Sequence, residues 1–260
     1  ATLIGNPQNI LIGQYLHLSF SGYLMIAAVP SLLGLFVTWA VIAVMYRGKW
    51  DLADKGIEPQ DEEIPTWNKW QSTKALIITG ILFIAFLFTP LPRDITALGA
   101  AGILLMSRKM HSRKMLGLVD WQLLVLFCGL FIVNHAMQVT GIPDLVVQDL
   151  KKSGMDLAHP GRLFVISTVL SNLVSNVPAT MLLLPMAHHP MAGPVLALSS
   201  TLAGNLLIIG SIANIIVVES AESHGISITW KTHAPVGIAV TLTTLAISAV
   251  FMWIFSTFMG

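Results

Sequence analysis

Ile4-Gly5-Asn6-Pro7-Gln8-Asn9-Ile10-Leu11-Ile12, near the start of the chain, returns as Ile209-Gly210-Ser211-Ile212-Ala213-Asn214-Ile215-Ile216-Val217. In both copies polar and helix-breaking residues interrupt an apolar run. A bilayer offers backbone groups no water, so an interrupted helix at membrane depth is tolerated only where it lines a cavity or is buried in protein. Two such breaks in corresponding halves of a chain point to the substrate site of an inverted-repeat transporter. The expected fold class is therefore an all-α membrane protein with broken transmembrane helices.

Composition points the same way. Hydrophobic residues make up 55% of the chain and charged residues 10%, whereas a soluble domain carries about 25% charged residues. The net charge is +1. Lys and Arg sit in short loops, which argues against the concentrated basic surface that a nucleic-acid partner needs. Cys128 is the one cysteine, so no intrachain disulfide forms, and its expected role is that of a small apolar packing residue. The chain opens at Ala1 inside the first broken segment, without an initiator Met or a signal pattern. The expectation is a fragment whose upstream half-site belongs to a missing N-terminal part of the same protein.

Apolar runs that cross or nearly cross a hydrocarbon core of about 30 Å are expected at 22–46, 73–91, 94–107, 120–140, 192–220 and 234–258. Residues 47–72 are the long polar stretch and are expected to form a cytoplasmic linker between the repeats. Arg108, Lys109, Arg113 and Lys114 crowd the loop 107–119, and the positive-inside rule assigns that loop to the cytoplasm. Counting spans outward from it leaves the linker inside and the C-terminus outside. Residues 161–187 hold two apolar limbs, each too short to span, on either side of a Ser-Asn-rich stretch and Pro178. A re-entrant hairpin is the economical solution, and a single helix bent at Pro178 is the competing one. With the hairpin, the two Ile-Gly-x-x-x-Asn copies run in opposite directions. Residues 1–46 then end the first inverted repeat, and 73–260 form the second.

The hairpin tip contains Ser171-Asn172 and Ser175-Asn176, a pair repeated at a spacing of four that stacks on one helical face. Their hydroxyl and amide oxygens suit a hard cation such as Na⁺, and their donors suit an oxyanion. Pro178 fits the first turn of a second half-helix, whose start carries unpaired N–H groups and a partial positive charge. In the second break, carbonyls freed by Gly204 and Gly210, with Ser211 and Asn214, complete a cation shell with Ser175 and Asn176. The competing reading of the Ser, Asn and Gly residues is interhelical packing. Asn6, Asn9 and Pro7 form the other break, and Thr2 either faces the cavity or bonds its own backbone.

Proton carriers keep an intramembrane acid or His. The candidates here are Asp94, Asp120, His135 beside Asn134, and Glu219. Interfacial anchoring is the preferred role of the acids, and a hydrogen-bonded position inside the bundle that of His135. Coupling through neutral oxygens to Na⁺ therefore leads. His188-His189, beside Pro190, is expected to be a solvated turn and not a metal site, and no catalytic arrangement is expected.

In TLIGNPQNILI at 2–12, SNLVSNVPATMLLLP at 171–185, GNLLIIGSIANIIV at 204–217 and VDWQLLVLFCGLFI at 119–132, the chain resembles the ion transporter superfamily of arsenite permeases, citrate carriers and divalent anion:sodium symporters. The resemblance implies two inverted repeats, each with a re-entrant hairpin and a broken helix. It also implies elevator-like motion and, in the symporter branch, a dimer. It matches Ser175-Asn176-Val177 to the Ser-Asn-Thr tip motif and Gly5-Asn6-Pro7-Gln8-Asn9 to a Gly-Thr-Pro-Pro-Asn-like break. Val177 in place of Thr and Gln8 in place of Pro depart from the dicarboxylate pattern and lean toward the arsenite-permease side. The expected function is a secondary active transporter of a small inorganic or organic anion in a bacterial-type plasma membrane, with Na⁺ as the coupling ion. Arsenite or antimonite efflux and Na⁺/H⁺ antiport are the alternatives. The expected ligands are Asn6, Asn9, Ser171, Asn172, Ser175, Asn176, Val177, Gly210, Ser211 and Asn214.

Overall fold

A computed structural model describes residues 2–48, 68–106, 121–142 and 156–259, with isolated positions between 116 and 154. Among the described residues the regular structure is helical: α1 (Pro7–Tyr15), α2 (Phe20–Met45), α3 (Lys69–Phe88), α4 (Arg93–Leu105), α5 (Trp121–Val139), α6 (Pro160–Val174), α7 (Asn176–Leu183), α8 (Ala192–Ala203), α9 (Ile212–Ser223) and α10 (Trp230–Met259). Short 3₁₀ turns occupy Leu184–Met186 and Ile208–Gly210. Phe20–Met45, Lys69–Phe88 and Trp230–Thr257 are long and apolar enough to cross a membrane. The orientation-setting loop 107–119 and most of the 47–72 linker lie outside the described residues. The described end of the linker is already helical, because Asn68 caps α3 by accepting from the Gln71 N–H at 3.3 Å.

Packing divides the chain into residues 1–48 with 129–260, and residues 49–128. The first division falls close to the expected end of the first repeat at 46, and the second, after 128, lies inside the expected second repeat 73–260. Within the second unit α3 lies against α4. Lys74 Nζ donates to the carbonyls of Ile103 and Met106, at 2.7 and 3.2 Å, and so covers the end of α4.

The first unit holds the buried core. Helix α6 packs most extensively on α8, and α10 on α2, while α8 also touches α1, α7 and α10. Small residues permit these close approaches: Gly34 of α2 lies against Thr244 of α10, and Gly193 of α8 leaves room for Leu16, Leu18 and Ile12 of the α1 segment. Leu3, Ile12, Leu163 and Leu196 are fully buried here. Cys128, expected to pack inside, is instead exposed. Its helix α5 turns apolar side chains such as Val125 and Ile132 outward, as a lipid-facing helix does.

The apolar limbs of 161–187 form two helices in mutual contact, α6 and α7. Ser175 separates them with φ 73° and ψ 161°, a backbone region that only glycine enters without strain. Ser171-Asn172 and Ser175-Asn176 therefore do not share one helical face as the spacing predicts, because the helix ends at Val174 between the pairs. Pro178 sits at the third position of α7, where its missing N–H costs nothing. Replacing Ser175 with Gly is expected to stabilise the protein relative to Ser175→Ala by about 1 kcal/mol, because both lose the hydroxyl and only Gly relieves the backbone. Thermal denaturation of the two variants in detergent measures the difference.

Candidate functional site

The two sequence copies share a cap position and a set of turn hydrogen bonds, although only Asn6 caps its helix through its side chain. In each, the third residue of the quoted stretch, Asn6 or Ser211, adopts extended backbone and caps a helix that starts at Pro7 or Ile212. The Gly5 N–H donates to Thr2 O at 3.1 Å, and the Gly210 N–H donates to Leu207 O at 3.0 Å. Asn9 Nδ2 donates to Thr2 O at 3.1 Å, and Asn214 Nδ2 donates to Leu207 O at 3.2 Å. Each Asn therefore ties its own break by donating, beside that backbone N–H, to the same turn carbonyl. Asn214 holds a second one, Gly204 O, at 2.7 Å.

These breaks meet the hairpin tip. The Asn176 amide faces three acceptors, Ser171 Oγ at 2.6 Å, Gly210 O at 2.7 Å and Ser200 O at 3.1 Å, and one donor, Gln8 Nε2 at 3.2 Å. Hydrogen-bond logic sets its NH₂ toward the acceptors and its oxygen toward Gln8. Ser171 then gives its own proton to Ser200 O at 3.0 Å. Ser175 Oγ lies 3.5 Å from Gly210 O. From the first break, Asn6 Nδ2 and Gln8 Nε2 both donate to Thr201 Oγ1, at 3.0 and 3.2 Å. Asn6 Oδ1 meanwhile accepts from the Asn9 N–H at 2.8 Å. A single polar cluster thus joins residues 6–8, 171–176 and 200–214.

Backbone proximity in the cluster is set by Gly204. A Cβ there would lie 2.9 Å from both polar atoms of the Asn176 amide and 3.0 Å from Ser211 Cβ. Gly210 likewise sits 3.3 Å from Asn172 Oδ1, measured from where its Cβ would be. Asn172 gives its Nδ2 to Thr168 O at 3.0 Å, and its Oδ1 is buried without a hydrogen-bond partner among the described residues. That orphaned oxygen close to Gly210 is of the kind that suits a hard cation. The starts of α7 and α9 contribute the partial positive charge that suits an anion. Among the described residues no charged side chain takes part in these hydrogen bonds.

Eight of the ten expected residues belong to this cluster. Val177 is buried at 2% exposure on the second position of α7 and packs instead of presenting a polar group. Asn9 is tied to Thr2 and, at 3.3 Å, to Tyr23 Oη of α2, so it braces the first break and does not reach the tip. Thr2 takes part through its backbone carbonyl. Sequence reasoning missed Gln8 as a donor, Thr201 and Ser200 at the end of α8, and His233 of α10, which lies 3.0 Å from Asn205 O. The run Ser199-Ser200-Thr201 closing an apolar helix was the available signal for the first of these. The titratable candidates named from sequence stand elsewhere: Asp94 is in the first turn of α4, and Asp94, His135 and Glu219 are exposed. His135 thus stands exposed on α5 among exposed neighbours such as Ile132 and Val133 and not at the hydrogen-bonded position expected for it. Asp120 and the Asn134 side chain lie outside the described residues.

His188 and His189 are exposed. Among the described residues no group of three His, Cys, Asp or Glu side chains forms a metal site. His189 lines a separate cavity of about 710 Å³ with His159, Phe164, Val195, Met252 and Trp253, at the ends of α6, α8 and α10 away from the cluster.

A family model described as citrate transporter matches residues 1–195. The chain is 27% identical to a 46 kDa membrane protein of Mycobacterium leprae over 98% of its own length and 64% of the relative's. An uncharacterized transporter of Mycobacterium tuberculosis is matched to the same extent, 27% identical over 98% of this chain and 64% of the relative. The inner membrane protein YbiR of Escherichia coli is 29% identical over 89% of this chain and 57% of its own length. The chain therefore spans somewhat less than two thirds of the length of these relatives.

Gly204→Ala is expected to destabilise the cluster by about 1–3 kcal/mol through displacement of the Asn176 amide. Gly99→Ala, in the interior of α4 where nothing lies within 4 Å of the new Cβ, is expected to stabilise by about 0.5–1 kcal/mol through helix propensity. Melting temperatures of the two purified variants give the comparison.

Proposed function

The chain belongs to the citrate transporter family, and from that premise we propose that it is part of a secondary active transporter that carries a small inorganic or organic anion across the plasma membrane with Na⁺ as the coupling ion. The observation that carries this reading is the convergence of two helix interruptions, at Ser175 and 204–211, and the capped start of α1 at 2–6 on one uncharged polar cluster. Interrupted backbone is costly in lipid and is kept where it meets a ligand.

The chemistry divides between the two ions. Amide nitrogens of Asn176 and Asn214 hold unwound carbonyls in place, so the carbonyl of Gly210, the orphaned Asn172 oxygen and the hydroxyls of Ser175 and Ser211 are the candidate Na⁺ ligands, with Asn176 and Asn214 as their frame. The anion is held by the N-terminal ends of α7 and α9, with the Asn6 and Gln8 amides as donors. A neutral site favours binding the pair together: each ion offsets the other's charge in a medium that screens little. That mutual offset is the physical basis of symport here. The inverted arrangement of the repeats, the external C-terminus and a homodimer complete the reading.

Asn176→Ala and Asn214→Ala in the full-length protein are expected to abolish uptake of radiolabelled anion while leaving membrane insertion intact. Unchanged transport by both would remove the site assignment. The substrate is found by thermal shift of the full-length protein against citrate, phosphate and sulfate in Na⁺ or K⁺, since a ligand stabilises the state it binds. Stabilisation only in Na⁺ supports symport. Arsenite or antimonite resistance conferred on a permease-deleted strain would favour efflux, and proton release on Na⁺ addition to vesicles would favour antiport.

A further inference from the structure

We infer that His233 is a positioning residue that fixes the unwound 204–210 segment from outside the cluster, and that Gly237 is the space this contact requires. The inference rests on the cluster being the transport site. It starts from an accounting of the carbonyls that the break between α8 and α9 releases. Gly204 O and Leu207 O take the Asn214 amide, and Gly210 O takes the Asn176 amide. Asn205 O takes its bond from His233 Nε2 at 3.0 Å. A carbonyl only accepts, so the imidazole must carry its proton on Nε2.

The second observation is independent of the first. A Cβ on Gly237, one helical turn beyond His233, would lie 2.7 Å from Asn205 O and 2.8 Å from His233 Nε2. The obstructing atom is backbone, which cannot swing aside as a side-chain end does. Position 237 thus tolerates no side chain while the carbonyl keeps its place. The Trp230 ring, 6.3 Å from the imidazole centre to centre, flanks His233 on its own helix.

A third observation comes from the other repeat copy. There the Tyr23 hydroxyl of α2 accepts from Asn9 Nδ2 at 3.3 Å. Each break is therefore held by a polar side chain from the opening turns of the long helix that follows it, and those two helices pack on each other. His233 acts on bound ions only through the backbone it anchors: it sets where Gly204, Gly210 and Ser211 stand against the hairpin tip.

The test uses the full-length protein in lipid nanodiscs, with His233→Leu, His233→Gln and Gly237→Ala. Amide exchange read by mass spectrometry at 204–211 is expected to quicken by roughly tenfold in His233→Leu and Gly237→Ala, the value of one lost hydrogen bond, with the tip at 171–177 much less affected. His233→Gln, which retains an N–H donor, is expected to restore slow exchange. The Na⁺ concentration giving half-maximal thermal stabilisation is expected to rise by a similar factor in the first two variants and to recover in the third. Gly237→Ala keeps the imidazole group and crowds the contact itself, both the Asn205 carbonyl and the ring nitrogen, so it carries the test should His233→Leu fail to insert. Unchanged exchange at 204–211 in both variants, or equal loss in His233→Gln and His233→Leu, overturns the role. Altered exchange with no Na⁺ response in the wild-type protein leaves the anchor standing and sinks the Na⁺-coupled reading instead.

Discussion

Every backbone N–H and C=O inside hydrocarbon must find its partner within the protein, and this constraint governs the fold described here. A helix meets it locally. Where a helix stops, at Val174, Ala203 or ahead of Pro7, the released groups need side chains, and those side chains must be short, polar and uncharged to sit in a close-packed interior. That is why Asn, Ser, Thr and Gln gather at the breaks. Asn does the most, since one amide nitrogen carries two protons and can bridge two carbonyls, as Asn214 does for Gly204 and Leu207.

The same constraint explains how a buried polar cluster arises with no charged side chain among its contacts in the described residues. Holding the breaks open aligns helix starts and loose carbonyls around one spot, so partial charges of both signs are present without a formal one. A buried charge would carry a desolvation penalty in the empty site. Dipoles carry far less, and they serve both an anion and a cation. The left-handed Ser175 is the point where strain is kept for this purpose: its φ of 73° turns the chain so that Asn176 begins α7 against Gly204.

Much of this was legible in the chain. The long apolar runs at 22–46, 73–91 and 234–258 correspond to α2, α3 and α10, because a hydropathic stretch of spanning length has few other uses. The two limbs about Pro178 became α6 and α7, and the Gly-Ser-x-x-Asn and Gly-Asn-x-x-Asn breaks became caps in the same register. Other features were not legible. Motif membership does not say which way a side chain turns: Val177 is buried and apolar, and the Asn9 Nδ2 is tied to Thr2 and Tyr23. Cys128 and His135 were expected inside because α5 is apolar all round, and such a helix has no face that marks its packed side.

What the sequence determined by itself is where helices begin, break and end, and that the two breaks are copies of one another. Those are local matters, decided by residues within a few positions: a cap, a proline, a glycine, an unbroken apolar stretch. What the tertiary structure decided is which amide serves which carbonyl. Asn6 finds Thr201 across 195 positions of chain, and His233 finds Asn205 across 28. Such pairings follow from how helices cross and how closely Gly204 and Gly237 let backbones approach, and no local pattern encodes a distance between segments that meet only once the chain is packed.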